Sequence, residues 1–237
     1  SFLISWISAR YLGVTLKGEY SYLITLCGFM WTVLDLGVYR SYPYIVRKRP
    51  DEVQTLFGWT IITMFFEIVV MTSIGVAFLD FWNKLIGYQL SPVKIIFLVM
   101  FVSLNKAFMQ LQAIYMGMNR VLENSISHFL ISVVFFILLL IGYFALIDVD
   151  RIDILLLFNL IGLACSVLYL AFRNRWGNWY KELNIKTIKL FYSYGFRVFL
   201  SSLFIMLLIR ADIVLIKHFL DFSEVGIYSL AAHIVDF

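Results

Sequence analysis

Asp35, Glu67, Lys106 and Asp212 are ionisable residues set inside stretches too apolar to leave them in water. A carboxylate or ammonium at the centre of a membrane-spanning helix costs roughly 2.5–3.5 kcal/mol on insertion scales. Such a group therefore faces a wet cavity, pairs with another charge, or snorkels to a helix end. The first outcome marks a transport path and the second a structural tie. At about 100° per residue, Ser21, Thr25, Gly28, Thr32, Asp35 and Tyr39 fall in one stripe, and Thr60, Thr63 and Glu67 in another. Asn105, Gln112 and Asn119 recur at heptad spacing, with Lys106 and Gln110 on the flank of that face. Ser125, His128 and Ser132 form a further stripe, and so do Asn159, Gly162, Ser166 and Arg173. One stripe per helix is what a bundle around a wet cavity requires, although stripes of Gly, Ser and Thr alone also let helices pack closely. Near residue 200, Asp212 shares a face with Tyr194, Arg197 and Ser201, whereas Arg210 points about 160° away. We expect Asp212 and Arg197 toward the cavity and Arg210 against a neighbouring helix.

Other chemistry has no residues to carry it. There is no Gly-rich phosphate loop, no nucleophile elbow and no HExxH. Only Cys27 and Cys165 occur, both in apolar segments, so neither a disulfide framework nor a zinc site is expected. His128, near the start of its helix, reads as a satisfied polar group, and His218 and His233 lack companions at ligand spacing. We expect no enzyme, no cofactor, no metal and no nucleic-acid partner.

The elements that must position these residues are spanning helices. With 62% hydrophobic and 14% charged residues, the chain is too apolar for a soluble globule, where apolar usage is nearer half, and it reads as a polytopic all-α membrane bundle. Spans are expected near 1–8 (the tail of a first helix), 20–40, 56–78, 93–118, 126–147, 154–172 and from 196 onward. The breaks include Pro43 and Pro50 in SYPYIVRKRP. Loops after the second, fourth and sixth spans hold Arg40, Arg47, Lys48, Arg49, Arg120, Arg173, Arg175, Lys181, Lys186 and Lys189. The other loops, with Lys17 and Lys84 among their bases, carry Asp80, Asp148, Asp150 and Asp153. The positive-inside bias puts the first set in the cytoplasm, along with the start of the complete first helix. We divide the chain into a transmembrane lobe at 1–172, a basic amphipathic linker at 173–191 and the start of a second lobe at 192–237.

The second lobe repeats the first. Without a gap, KHFLDFSEVGIYS (Lys217–Ser229) falls on ARYLGVTLKGEYS (Ala9–Ser21), setting Gly18, Tyr20 and Ser21 opposite Gly226, Tyr228 and Ser229. Repeats in membrane chains place two similar halves about a site. The same register sets Ser1 opposite Ile209, so the chain reads as a fragment of a longer one, with its first helix cut short.

Arg10, Leu12 and Gly13, then Gly18, Tyr20 and Ser21, then Asp212 and Val225, Gly226, Tyr228, Ser229 carry a resemblance. On these hairpins the chain resembles the polysaccharide, or O-antigen, flippases of the multidrug and oligosaccharidyl-lipid exporter superfamily. The resemblance implies two six-helix lobes around a cavity open alternately to each side of a plasma membrane. It implies a cargo of oligosaccharide on undecaprenyl diphosphate, moved to the periplasmic leaflet by a monomer working beside polysaccharide assembly proteins. Lys106 with Asn105, Gln110 and Gln112 would then meet the diphosphate and sugars, and Asp35, Glu67 and Asp212 could couple a proton or sodium ion. A drug or cation exporter of the same superfamily would have an acidic cavity without lysine. An integral-membrane polymerase or ligase would need a sizeable external loop, and a mere scaffold would leave the buried charges without a reason.

Overall fold

The computed structural model describes residues 2–145, 151–173 and 185–235, and every regular element in them is helical. The acidic loop with Asp148 and Asp150, and the part of the basic linker with Arg175 and Lys181, lie outside the described residues. The helices are α1 (Phe2–Leu12), α2 (Val14–Asp35), α3 (Val38–Lys48), α4 (Val53–Ala77), α5 (Leu79–Ile86), α6 (Pro92–Gly117), α7 (Val121–Ala145), α8 (Arg151–Arg173), α9 (Ile185–Phe219) and α10 (Phe222–Val235). Five segments are long and apolar enough to cross a membrane: Pro50–Ala77, α6, Val121–Phe144, α8 and α9. The pair α2 and α3, bent by 47°, makes a sixth. The chain is an integral, multi-pass helical membrane protein.

Local signals set the helix ends. Ser91 accepts the Lys94 N–H at 3.1 Å, and Pro92, which has no N–H to leave unpaired, opens α6. The break in the second span is not at Pro43, which lies inside α3. It falls at Leu36 and Gly37, both in the left-handed region with φ of 50° and 73°. Likewise Asn119, expected on a polar face of the fourth span, is an exposed residue of the α6–α7 turn with φ 58°, a conformation Asn tolerates. The seventh span begins at Ile185, so the last residues assigned to the linker are the first turns of α9.

α6 is the axis of the bundle. Its buried faces meet α2, α3, α4, α7 and α8, and Phe108, Leu111, Ile114 and Tyr115 fill the centre. The apolar residues left exposed, such as Phe65, Phe66 and Val69 on α4 and Phe204 and Leu208 on α9, belong to the lipid-facing surface of a membrane bundle. α10 packs along α2, and α9 along α2 and α3. The closest approach joins residues the internal repeat sets opposite each other. Ser21 donates a hydrogen bond to Ser229 at 3.1 Å, and a Cβ on Gly18 would strike the carbonyl of Phe222 and lie 2.9 Å from Gly226 N. A Cβ on Gly226 would in turn strike the carbonyl of Val14.

Candidate functional site

The face of α2 that carries Ser21, Thr25 and Gly28 looks toward α9 and α10 across a cavity of about 310 Å³. α6 closes one side with Phe101 and Asn105, α9 the other with Met206, Arg210 and Ile213, and Ser229 of α10 the end. Lys17 stands one turn before Ser21 on the same stripe, only 4% exposed, its ammonium donating to Ser8 Oγ at 3.1 Å. Tyr20 also lines the cavity, its hydroxyl accepting from Asn159 Nδ2 at 2.9 Å. Two cations therefore enter this wall and no carboxylate does. Among the described residues, neither Lys17 nor Arg210 has an acidic partner. A buried ammonium and a half-buried guanidinium without counter-charge favour an anion, and guanidinium geometry matches phosphate oxygens. The amide and hydroxyl groups beside them can both donate and accept, as sugar hydroxyls require.

A second cavity of about 120 Å³ lies against the α2–α3 bend, lined by Thr32, Asp35, Gly37, Tyr39, Arg40 and Ser202 among others. Trp31 and Met206 line both spaces and so stand between them. Gly28 leaves room for the Met206 methyl, since a Cβ there would collide with it.

The residues singled out from the sequence separate into distinct environments. Asn105 lines the larger cavity and Asp35 the smaller. Lys106 and Glu67 line neither; they are paired with each other between α6 and α4. Gln110 donates to Asp35 Oδ1 at 2.8 Å. Gln112, two turns after Asn105 on the same face, meets α7 instead, donating to Ser127 Oγ at 3.2 Å. On α9 the expected assignment is reversed. Ser202, Met206, Arg210 and Ile213 form the face turned inward. Arg197 is exposed, its guanidinium 5.6 Å from the Tyr194 ring, and Asp212 is held by the Tyr228 hydroxyl and the Ile213 N–H. The α7 stripe of Ser125, His128 and Ser132 faces outward. Of the α8 stripe, Gly162 and Ser166 serve packing, Ser166 donating to Ser127 O at 3.0 Å and Gly162 lying against the Ile131 backbone, while Asn159 holds the cavity-lining Tyr20 and Arg173 is exposed. Lys17 was legible as the next member of the α2 stripe, but a span boundary drawn at Tyr20 left it in a loop. Arg210 carried no comparable signal, because α9 offers two faces of similar polarity.

A buried lysine and a half-buried arginine beside hydroxyls and an amide, inside a bundle of spanning helices, define a membrane protein with an internal polar chamber. The chain belongs to the polysaccharide biosynthesis protein family, whose sequence profile matches residues 1–236. Its role therefore lies in the making or transport of polysaccharide. Comparison with curated proteins and with solved structures finds no match.

Proposed function

We propose that the protein moves a lipid-linked oligosaccharide, of the undecaprenyl-diphosphate kind, from the cytoplasmic to the periplasmic leaflet by alternating access, as a carrier rather than an enzyme. The observation that carries this reading is the charge of the larger cavity, with Lys17 and Arg210 in its wall and no carboxylate. A diphosphate is the anionic part of such a cargo, and its sugars suit Asn105, Ser21, Thr25 and Ser229. The charge bias of the loops supports a cytoplasmic Arg40 end and an external Lys17 end. In that orientation the α2–α10 contact closes the cavity toward the outside. A drug or cation exporter needs acid in the chamber, which disfavours it here. A polymerase or ligase would need reacting groups that the cavity wall does not offer.

Lys17→Ala and Arg210→Ala test the assignment. Each loss of a charged contact to phosphate weakens binding by about 1.5–3 kcal/mol, roughly ten- to a hundredfold. Lipid-linked repeat units should accumulate on the cytoplasmic side while the variants remain in the membrane at normal levels. Normal export by the double variant rejects the reading.

A further inference from the structure

Asp35 is 1% exposed at the end of α2, and both of its oxygens are used for geometry. Oδ2 accepts the Tyr39 N–H at 3.1 Å, one of the donors that the start of α3 leaves without a backbone partner. Gly37, in the capping position, has no side chain to do this. Oδ1 accepts from Gln110 of α6 at 2.8 Å, which ties the break to the central helix. Beyond the break, Gly37 lies against Gly195 so closely that a Cβ on Gly195 would come 2.9 Å from both Gly37 C and Val38 N. The rings of Tyr44 and Tyr194 continue this α3–α9 contact with centroids 5.1 Å apart.

We propose that Asp35 is a positioning residue: it holds the two left-handed residues of the break in place, sets the direction of α3, and so closes α3 on α9 at the Arg40 end of the cavities. Its work is done by two accepted hydrogen bonds and does not require its charge. An asparagine can make the same pair. Its Oδ1 would take the Tyr39 N–H, and Gln110 turned end for end would present Oε1, now without a hydrogen-bond partner, to the new amide N–H. An ion-coupling carboxylate behaves in the opposite way, since the amide removes the group that takes up the proton or sodium ion. The charged and titratable groups around Asp35 are Lys106, Glu67, Tyr42 and Tyr192, with Tyr39 and Arg40 in the wall of the same cavity, and the substitution alters none of them.

The test uses the full chain in membrane vesicles, with Cys27 and Cys165 replaced by alanine and the exposed pair Tyr44→Cys and Tyr194→Cys joined by a short bifunctional maleimide. Cross-linking with Asp35→Asn should match that with Asp35, whereas Asp35→Ala should lower the yield severalfold. If Asp35→Ala does not reach the membrane, Gln110→Leu should lower the yield in the same direction. Gly37→Ala should lower it too, because its Cβ meets the Gly195 carbonyl at a φ of 73°. Full yield with Asp35→Ala, or with Gln110→Leu where that variant stands in for it, overturns the proposal. So does an Asp35→Asn yield as low as that with alanine. Transport supplies a second arm and alone rests on the carrier reading. Export retained in Asp35→Asn agrees with positioning, and export lost at unchanged cross-linking shows that the charge itself is used and overturns it. Failure of the carrier reading leaves the cross-linking arm intact.

Discussion

Glu67 and Lys106 are bonded to each other inside the bundle, their side chains 14% and 4% exposed. Removing one partner of such a pair strands the other charge, at a cost of about 3–5 kcal/mol, whereas replacing both by apolar groups is often neutral. Glu67→Gln or Lys106→Met alone should therefore lower the thermal midpoint in detergent, and the double variant Glu67→Leu with Lys106→Met should recover most of it. A further loss in the double variant would mean that the charges act separately. Tyr88, outside the spans, donates to Glu19 at 2.9 Å. Burial, with the Glu19 carboxylate adding to it, pushes its phenol from 10.0 up to about 12. A raised pKa favours the protonated form in the folded state, so this tie is complete below pH 10 and is lost as pH climbs toward 12. Tyr88→Phe should remove that alkaline component from a stability profile. The sequence disclosed that Asp35, Glu67 and Lys106 are embedded among apolar residues. It did not disclose that two of them pair, because a pathway charge and an ion pair carry the same one-dimensional signature.

At the scale of the helix, periodicity identified polar stripes but not the direction in which they point. In water a polar stripe faces out. In a bilayer the lipid side is as apolar as the core, so apolar residues no longer tell one face from the other; α2 turned its stripe inward, while α7 turned outward a stripe confined to its first turns. The spans themselves were plain, because runs of about 20 apolar residues match the thickness of the hydrocarbon layer. The second span was expected to run to Arg40, with the prolines breaking the loop after it, yet Leu36 and Gly37 bend it earlier, and of the two only Gly37 is of a type that favours the left-handed region. The α2–α10 seam offers an independent check. Ser21→Cys with Ser229→Cys should cross-link on oxidation, and adding Gly226→Val should abolish that product, since the new side chain would displace the Val14 backbone. Undiminished cross-linking with valine would show that the helices do not approach as described.

For the molecule as a whole, orientation follows from loop charge. A thiol placed at Arg49 should react with an impermeant maleimide only in inverted vesicles, and one at Lys84 only in intact cells. The reverse labelling pattern would turn the proposed direction of transport around. The internal repeat also has a spatial meaning. Gly18 meets Phe222, Gly226 meets Val14, and Ser21 meets Ser229, so in these three contacts each partner is the counterpart of the other's partner. That is the isologous pattern by which two identical subunits join about a dyad. Between identical subunits a substitution in such a seam changes both sides at once, whereas here a substitution on one side has to be tolerated by a neighbour that does not change with it.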